Sequence, residues 1–169
     1  MTENKLPHLK ETIQISATPN VVWRFLTEPQ LLSKWWWISP HQGRVVEMNV
    51  SACGHTTISS IINGREVHST YVYILVVKCQ KLIATTALTK QLYPSSSSLA
   101  ETIIFNLRPF QNGTELTVDA HFKDMNVVSW LWNRGYYTKW INNLTTLKQL
   151  AISLQDQVSK SNSTPPAQP

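Results

Sequence analysis

Residues 130–158, WLWNRGYYTKWINNLTTLKQLAISLQDQV, carry the pattern on which the fold turns. Trp130, Asn133, Tyr137, Trp140, Leu144, Leu147, Ala151, Leu154 and Val158 recur at alternating steps of three and four. That spacing lays a largely apolar stripe along one face of an α-helix. It predicts one helix from just after Asp124 to about Gln157. A helix this long needs an apolar surface of matching length to lie on, and everything between Arg44 and Phe122 reads as strands.

Those strands follow one another at short range. Val45–Ala52 and His55–Ile62 flank the tight Cys53-Gly54 turn, and Asn63-Gly64 joins the second of them to a long strand over Glu66–Lys78. Asn-Gly is a strong hairpin signal because both residues tolerate positive φ. Leu82–Thr89 follows, then a Ser-rich loop at 94–98, and a last hairpin of Ala100–Leu107 and Thr114–Phe122 around Asn112-Gly113. Consecutive strands with short turns pair as an antiparallel meander, and such a sheet twists and curls. Ahead of it, Glu11–Ser16 alternates as a strand, Thr18 and Pro19 can cap and open a helix, and a second short helix spans Gln30–Trp36. The expected fold is α+β: a curved antiparallel sheet of about seven strands, two short helices and one long C-terminal helix. Residues 1–10 read as an N-terminal extension, 11–158 as the domain, and 159–169, SKSNSTPPAQP, as a disordered tail.

At 169 residues the chain can bury a core without disulfides or metal. Its two cysteines, Cys53 and Cys79, lack zinc spacing and read as small buried hydrophobes, so a reducing cytosol is the expected compartment. No apolar run is long enough for a membrane span, so no insertion is expected. The net charge of +5 raises the question of nucleic acid, but the Lys and Arg residues are scattered singly and form no stripe. Nucleic acid is therefore not an expected partner.

The order of motifs is similar to that of a known family. ETIQISATPNVVWRFLTEPQLLSKWW at 11–36, Lys81-Leu82-Ile83 before a strand, Asn112-Gly113-Thr114 ahead of Leu116-Thr117-Val118, and Gly135-Tyr136 at the head of a leucine-repeating helix resemble the activator of heat-shock protein 90 ATPase homologue-like family. That family belongs to the SRPBCC or START-like superfamily. The resemblance spans roughly residues 11–157 and implies a helix-grip fold with a hydrophobic cavity between sheet and long helix. The superfamily includes lipid carriers, hormone receptors, cyclases and co-chaperone domains, and fold alone does not choose among them.

Aromatic residues mark where such a cavity would lie. Trp35 and Trp36 end the second short helix, and Trp130, Tyr137 and Trp140 stand near the start of the long one. Together with Tyr71, Tyr73, His68, Phe105 and Asn133 they form the candidate cavity set, with Trp36 and Tyr137 foremost. Successive helical residues are ~100° apart, so the three tryptophans at 35–37 cannot all face inward, and Trp37 is expected at the mouth. No nucleophile triad, phosphate loop or metal-ligand spacing occurs, and no cofactor is implied. Asp119 and His121 share a strand face opposite the apolar one and read as solvent-facing. Arg65, Glu66 and Glu101 read as surface charges, and Arg108 is a weaker candidate for anchoring a carboxylate. The leading expectation is non-enzymatic binding of a small hydrophobic molecule. Two alternatives stand beside it: a co-chaperone-like module with a chaperone or other protein as partner, and a polyketide-cyclase-like enzyme in which His68 acts as acid or base.

Overall fold

Every described strand pairs antiparallel with its neighbour in one sheet. The computed structural model describes residues 8–36, 44–62, 64–86, 101–122, 125–133 and 135–162. In chain order its elements are β1 (His8–Ile15), α1 (Pro19–Thr27), α2 (Pro29–Leu32), β2 (Arg44–Met48), β3 (His55–Ile62), β4 (Arg65–Val77), β5 (Lys81–Thr86), β6 (Glu101–Phe110), β7 (Gly113–Phe122), α3 (Met125–Trp132) and α4 (Tyr136–Asn162). The curved seven-stranded sheet runs β1-β7-β6-β5-β4-β3-β2. β2 to β7 form a meander, and β1 returns to pair with β7 in the register Ile13↔Leu116.

Local chemistry explains the short helices. The Val21 amide donates to the Thr18 hydroxyl at 3.4 Å, and Pro19 occupies the first turn, where its missing N–H costs nothing. One face of α1 buries Val22, Phe25 and Leu26. Pro29 ends α1 and opens α2, which lasts a single turn. Its absent N–H leaves the Phe25 carbonyl without the usual partner four residues on, and the Trp35 indole supplies one at 2.9 Å.

β7 alternates without a break, with Thr114, Leu116, Val118, Ala120 and Phe122 all buried. Its hairpin to β6 differs from expectation. The positive φ falls on Gln111 (51°), while Gly113 is the first residue of β7 and is needed for space. A Cβ there would stand 2.2 Å from the Ile15 backbone oxygen. Gly113→Ala is expected to push β1 away from β7 and lower stability by about 1–3 kcal/mol. A drop in urea midpoint with an unchanged slope would show it.

Four expectations are corrected here. The C-terminal helix is two helices, because Gly135 adopts φ 73° and ends α3 before α4 begins. α4 continues to Asn162, into the segment read as a disordered tail, and residues 163–169 lie outside the described ones. β1 begins at His8, within the supposed extension, because Leu9 is buried opposite Ala120. Cys53 is exposed and Cys79 half-buried, since both sit in turns with positive φ (65° and 59°) and not in the core. The loop at 94–98 and Trp37 lie outside the described residues.

α4 buries Tyr136, Trp140, Leu144, Leu147 and Ala151 along one face. It packs against α1 and β1, and near its far end Gln155 accepts from the Thr18 amide at 3.0 Å. No described helix is long and apolar enough to cross a membrane.

Candidate functional site

The inward face of the sheet and the α1–α2 pair define the site. Period-two alternation brings Thr56 and Ile58 of β3, Tyr71 and Tyr73 of β4, Leu82 and Ala84 of β5 and Phe105 of β6 to one side. Leu26 of α1, Leu32 of α2 and Trp36 roof them. The partly open cavity so formed has a largely apolar wall and a volume of about 20 Å³, room for roughly one water. On that wall the Thr56 hydroxyl and the Tyr73 phenol are hydrogen-bonded to each other. Burial raises the Tyr73 pKa above its ordinary value, so the phenol stays neutral.

Aromatic rings fill most of what would otherwise be open. Trp36 lies 5.5 Å from Tyr71, 5.6 Å from Phe105 and 5.5 Å from Trp140, centroid to centroid, mostly edge to face. It is the most exposed of these four rings, at 9%. Trp35 behind it is fully buried and tied to the α1 carbonyl, so it braces the helix and does not line the cavity.

The remaining residues expected at a cavity are dispersed. Tyr137 is exposed, its hydroxyl donates to Glu11 of β1 at 2.7 Å, and its ring stacks on Trp132. Asn133 is exposed at the end of α3. In α4 the inward place one turn before the buried Trp140 belongs to Tyr136, four residues back, and Tyr137 turns to the next face. His68 is exposed with Nε2 3.4 Å from a Glu66 oxygen, because even-numbered residues there face away from Tyr71 and Tyr73. Trp130 lies in α3, with its side chain outside the described residues. Trp140 is buried against Trp36 but does not line the cavity. The cavity itself lies between the sheet and the short helices; among the described residues α4 supplies none of its lining.

Glu101 is the residue that the sequence reading misplaced most. It begins β6 on the same face as Ile103, Phe105 and Leu107, and it is 6% exposed. Its carboxyl accepts a hydrogen bond from the Tyr136 hydroxyl. Desolvation raises its pKa to about 7, and the Tyr136 bond opposes that rise. Tyr136 in turn is pushed well up, chiefly by burial and then by the neighbouring Glu101 charge. The signal was the alternation, which set Glu101 in phase with three apolar residues. Arg108, by contrast, is largely exposed and paired with Glu115 at 2.6 Å. Asp119 and His121 lie 3.0 Å apart on the outward face of β7.

The same architecture occurs in solved structures. A protein from Nitrosomonas europaea superimposes with a TM-score of 0.72 at 24% identity, covering 89% of this chain and 97% of that one. One from Staphylococcus epidermidis gives 0.73 at 19%, covering 89% and 93%. One from Arthrobacter aurescens gives 0.75 at 12%, covering 85% of each chain. At these identities the likeness is one of fold. No curated protein matches the chain. The family model for the activator of Hsp90 ATPase homolog 1-like protein matches residues 16–151, from the end of β1 to the buried Ala151 of α4. The helix-grip fold and that match together place the chain in the activator of Hsp90 ATPase homolog 1-like family.

Proposed function

We propose that this protein is a non-enzymatic cytosolic binder of a small apolar molecule, taken up between the inner sheet face and the α1–α2 pair. The observation that carries this reading is the largely apolar cavity beneath Trp36, in whose wall the Thr56 hydroxyl and the Tyr73 phenol pair with each other. Ligand sites run to several hundred cubic ångströms. A bound molecule must therefore take the place of the Trp36 ring, which borders the cavity and is held by ring contacts. Such a site is a minor conformation that a ligand populates by binding it selectively.

Titration with naphthalene tests this. Tryptophan fluorescence is expected to change saturably, and the melting temperature to rise by several degrees at saturating ligand through linkage. Ala84→Leu, which fills the cavity floor, is expected to abolish both signals, while Tyr137→Phe leaves them unchanged. Equal responses in the Ala84→Leu variant, or none in the wild type, would remove the reading.

A protein-docking role has one observation in its favour. Ile74, Leu75 and Val77 of β4 are exposed together at one end of that strand. Apolar patches of this kind serve as contact surfaces. The cyclase-type alternative loses its acid or base, because His68 is at the surface.

A further inference from the structure

Glu101 is buried without a charged partner among the described residues. The hydroxyls of Thr85 and Thr86 donate to its backbone oxygen, at 3.2 and 3.3 Å, and not to its carboxyl. The carboxyl is met by the Tyr136 phenol. Filling that space with two apolar side chains would be near neutral or stabilising, whereas a buried carboxyl costs stability wherever it ionises. The pair has a use that packing does not supply.

Its position suggests what the use is. Tyr136 packs edge-on to Phe122 and Trp140, with centroids 5.8 and 6.4 Å away. Trp140 touches Trp36 at 5.5 Å, and Trp36 borders the apolar cavity. Tyr71 stands in both neighbourhoods: it lines the cavity and lies close enough to Tyr136 to affect its charge. One continuous layer of rings thus leads from the cavity to Glu101, with Trp36 between the two.

We propose that Glu101 and Tyr136 form the polar end of the ligand site, selecting an apolar molecule with one hydrogen-bond-donating head, an alcohol or an amine, over a carboxylate. The inference rests on the binding reading above and deepens it. A head group entering past Trp36 meets the carboxylate oxygens of Glu101, which are acceptors, while the Tyr136 oxygen already accepts from the Trp140 indole. An alcohol or ammonium satisfies the carboxylate oxygens. A carboxylate head brings a second negative charge into a low-dielectric space, where like charges repel most strongly.

The test compares octylamine, 1-octanol, octanoate and octane at pH 8.5, read by tryptophan fluorescence and melting temperature. Octylamine and octanol are expected to bind at least about tenfold more tightly than octanoate, since a like-charge contact costs several kcal/mol. Glu101→Gln is expected to bring octanoate up towards octanol and to leave octane unchanged. Should that variant fail to fold, the wild type compared at pH 6 and pH 8.5 serves instead. The amine-over-acid preference is expected to grow with pH as Glu101 ionises. The other titratable groups facing the site are the phenols of Tyr71, Tyr73 and Tyr136, and burial pushes those of Tyr73 and Tyr136 further up from the ordinary tyrosine range. Equal binding of all four compounds, or an octanoate deficit that survives Glu101→Gln or does not change with pH, overturns the head-group assignment and spares apolar binding. Failure of octane, octanol and naphthalene alike overturns both.

Discussion

Glu101→Gln is expected to flatten the dependence of stability on pH between about 4.5 and 8. The carboxyl has a folded-state pKa of about 7 against an ordinary value of 4.5. The folded protein thus holds a proton that the unfolded chain has released over that interval. Stability falls with pH wherever the native state binds more protons. The contribution of the protonated group is complete below 4.5, drains away as the pH rises through 7, and changes no further above that. At about 1.4 kcal/mol per pH unit, the displacement amounts to about 3 kcal/mol. Exposure does not discount it, because the side chain is buried. Glutamine keeps an acceptor for the Tyr136 hydroxyl and cannot ionise. Its new amide N–H groups cost something at every pH, so the informative quantity is the slope. Urea unfolding at several pH values should give a wild-type-minus-variant stability difference that falls by about 3 kcal/mol from pH 5 to pH 8. A constant difference would place Glu101 in contact with water. Tyr136→Phe supplies the opposite sign: losing the bond that favours the ionised carboxyl moves the fall in stability to higher pH.

That this carboxyl was readable in the sequence, and was read otherwise, has a physical cause. Glu101, Ile103, Phe105 and Leu107 share one strand face, but glutamate is so seldom buried that its composition outweighed its position. His68 shows the same parity in reverse. Tyr71 and Tyr73 face in, so His68, an odd number of residues from either, faces out on a regular strand. The meander, α1 and the stripe from Trp140 to Ala151 were legible, because each rests on a repeated period, whereas the second short helix, read over Gln30–Trp36, is the single turn Pro29–Leu32. The break at Gly135 was not. A lone glycine in an apolar helical pattern costs only about 1 kcal/mol, so periodicity carries a reading straight across it. Tyr136 and Tyr137 stand four and three residues before Trp140, so spacing alone does not choose between them, and Tyr136 is the one buried. The size of the cavity was not legible at all. It depends on how the rings of Trp36, Tyr71, Phe105 and Trp140 meet edge to face, and that is settled by packing between elements distant in sequence.

Trp35→Ala should be the most damaging single substitution in the short helices. Its indole is fully buried, beneath Trp36 and edge-on to Phe105 at 6.4 Å. Removing so large a buried ring typically costs about 3–5 kcal/mol. A second loss adds to it. Pro29 gives the Phe25 carbonyl no amide partner, and the Trp35 N–H is the donor that takes its place. An orphaned buried carbonyl costs a further 1 kcal/mol or so. Domains of this kind hold roughly 5–15 kcal/mol in all, so the variant should unfold at a much lower urea concentration or fail to accumulate. Trp35→Phe separates the two losses: it restores most of the ring volume, leaves the carbonyl bare, and should fall between wild type and alanine. Trp36→Ala next door should behave differently. That ring borders an existing cavity and packs against the rings of Trp35, Tyr71, Phe105 and Trp140, so its loss enlarges the space and should strengthen naphthalene binding. Neighbouring tryptophans would then divide the work, one holding α1 to α2 and the other occupying the ligand's place. If Trp35→Ala proved as stable as Trp36→Ala, the indole bond to Phe25 would not be what secures the turn between the two helices.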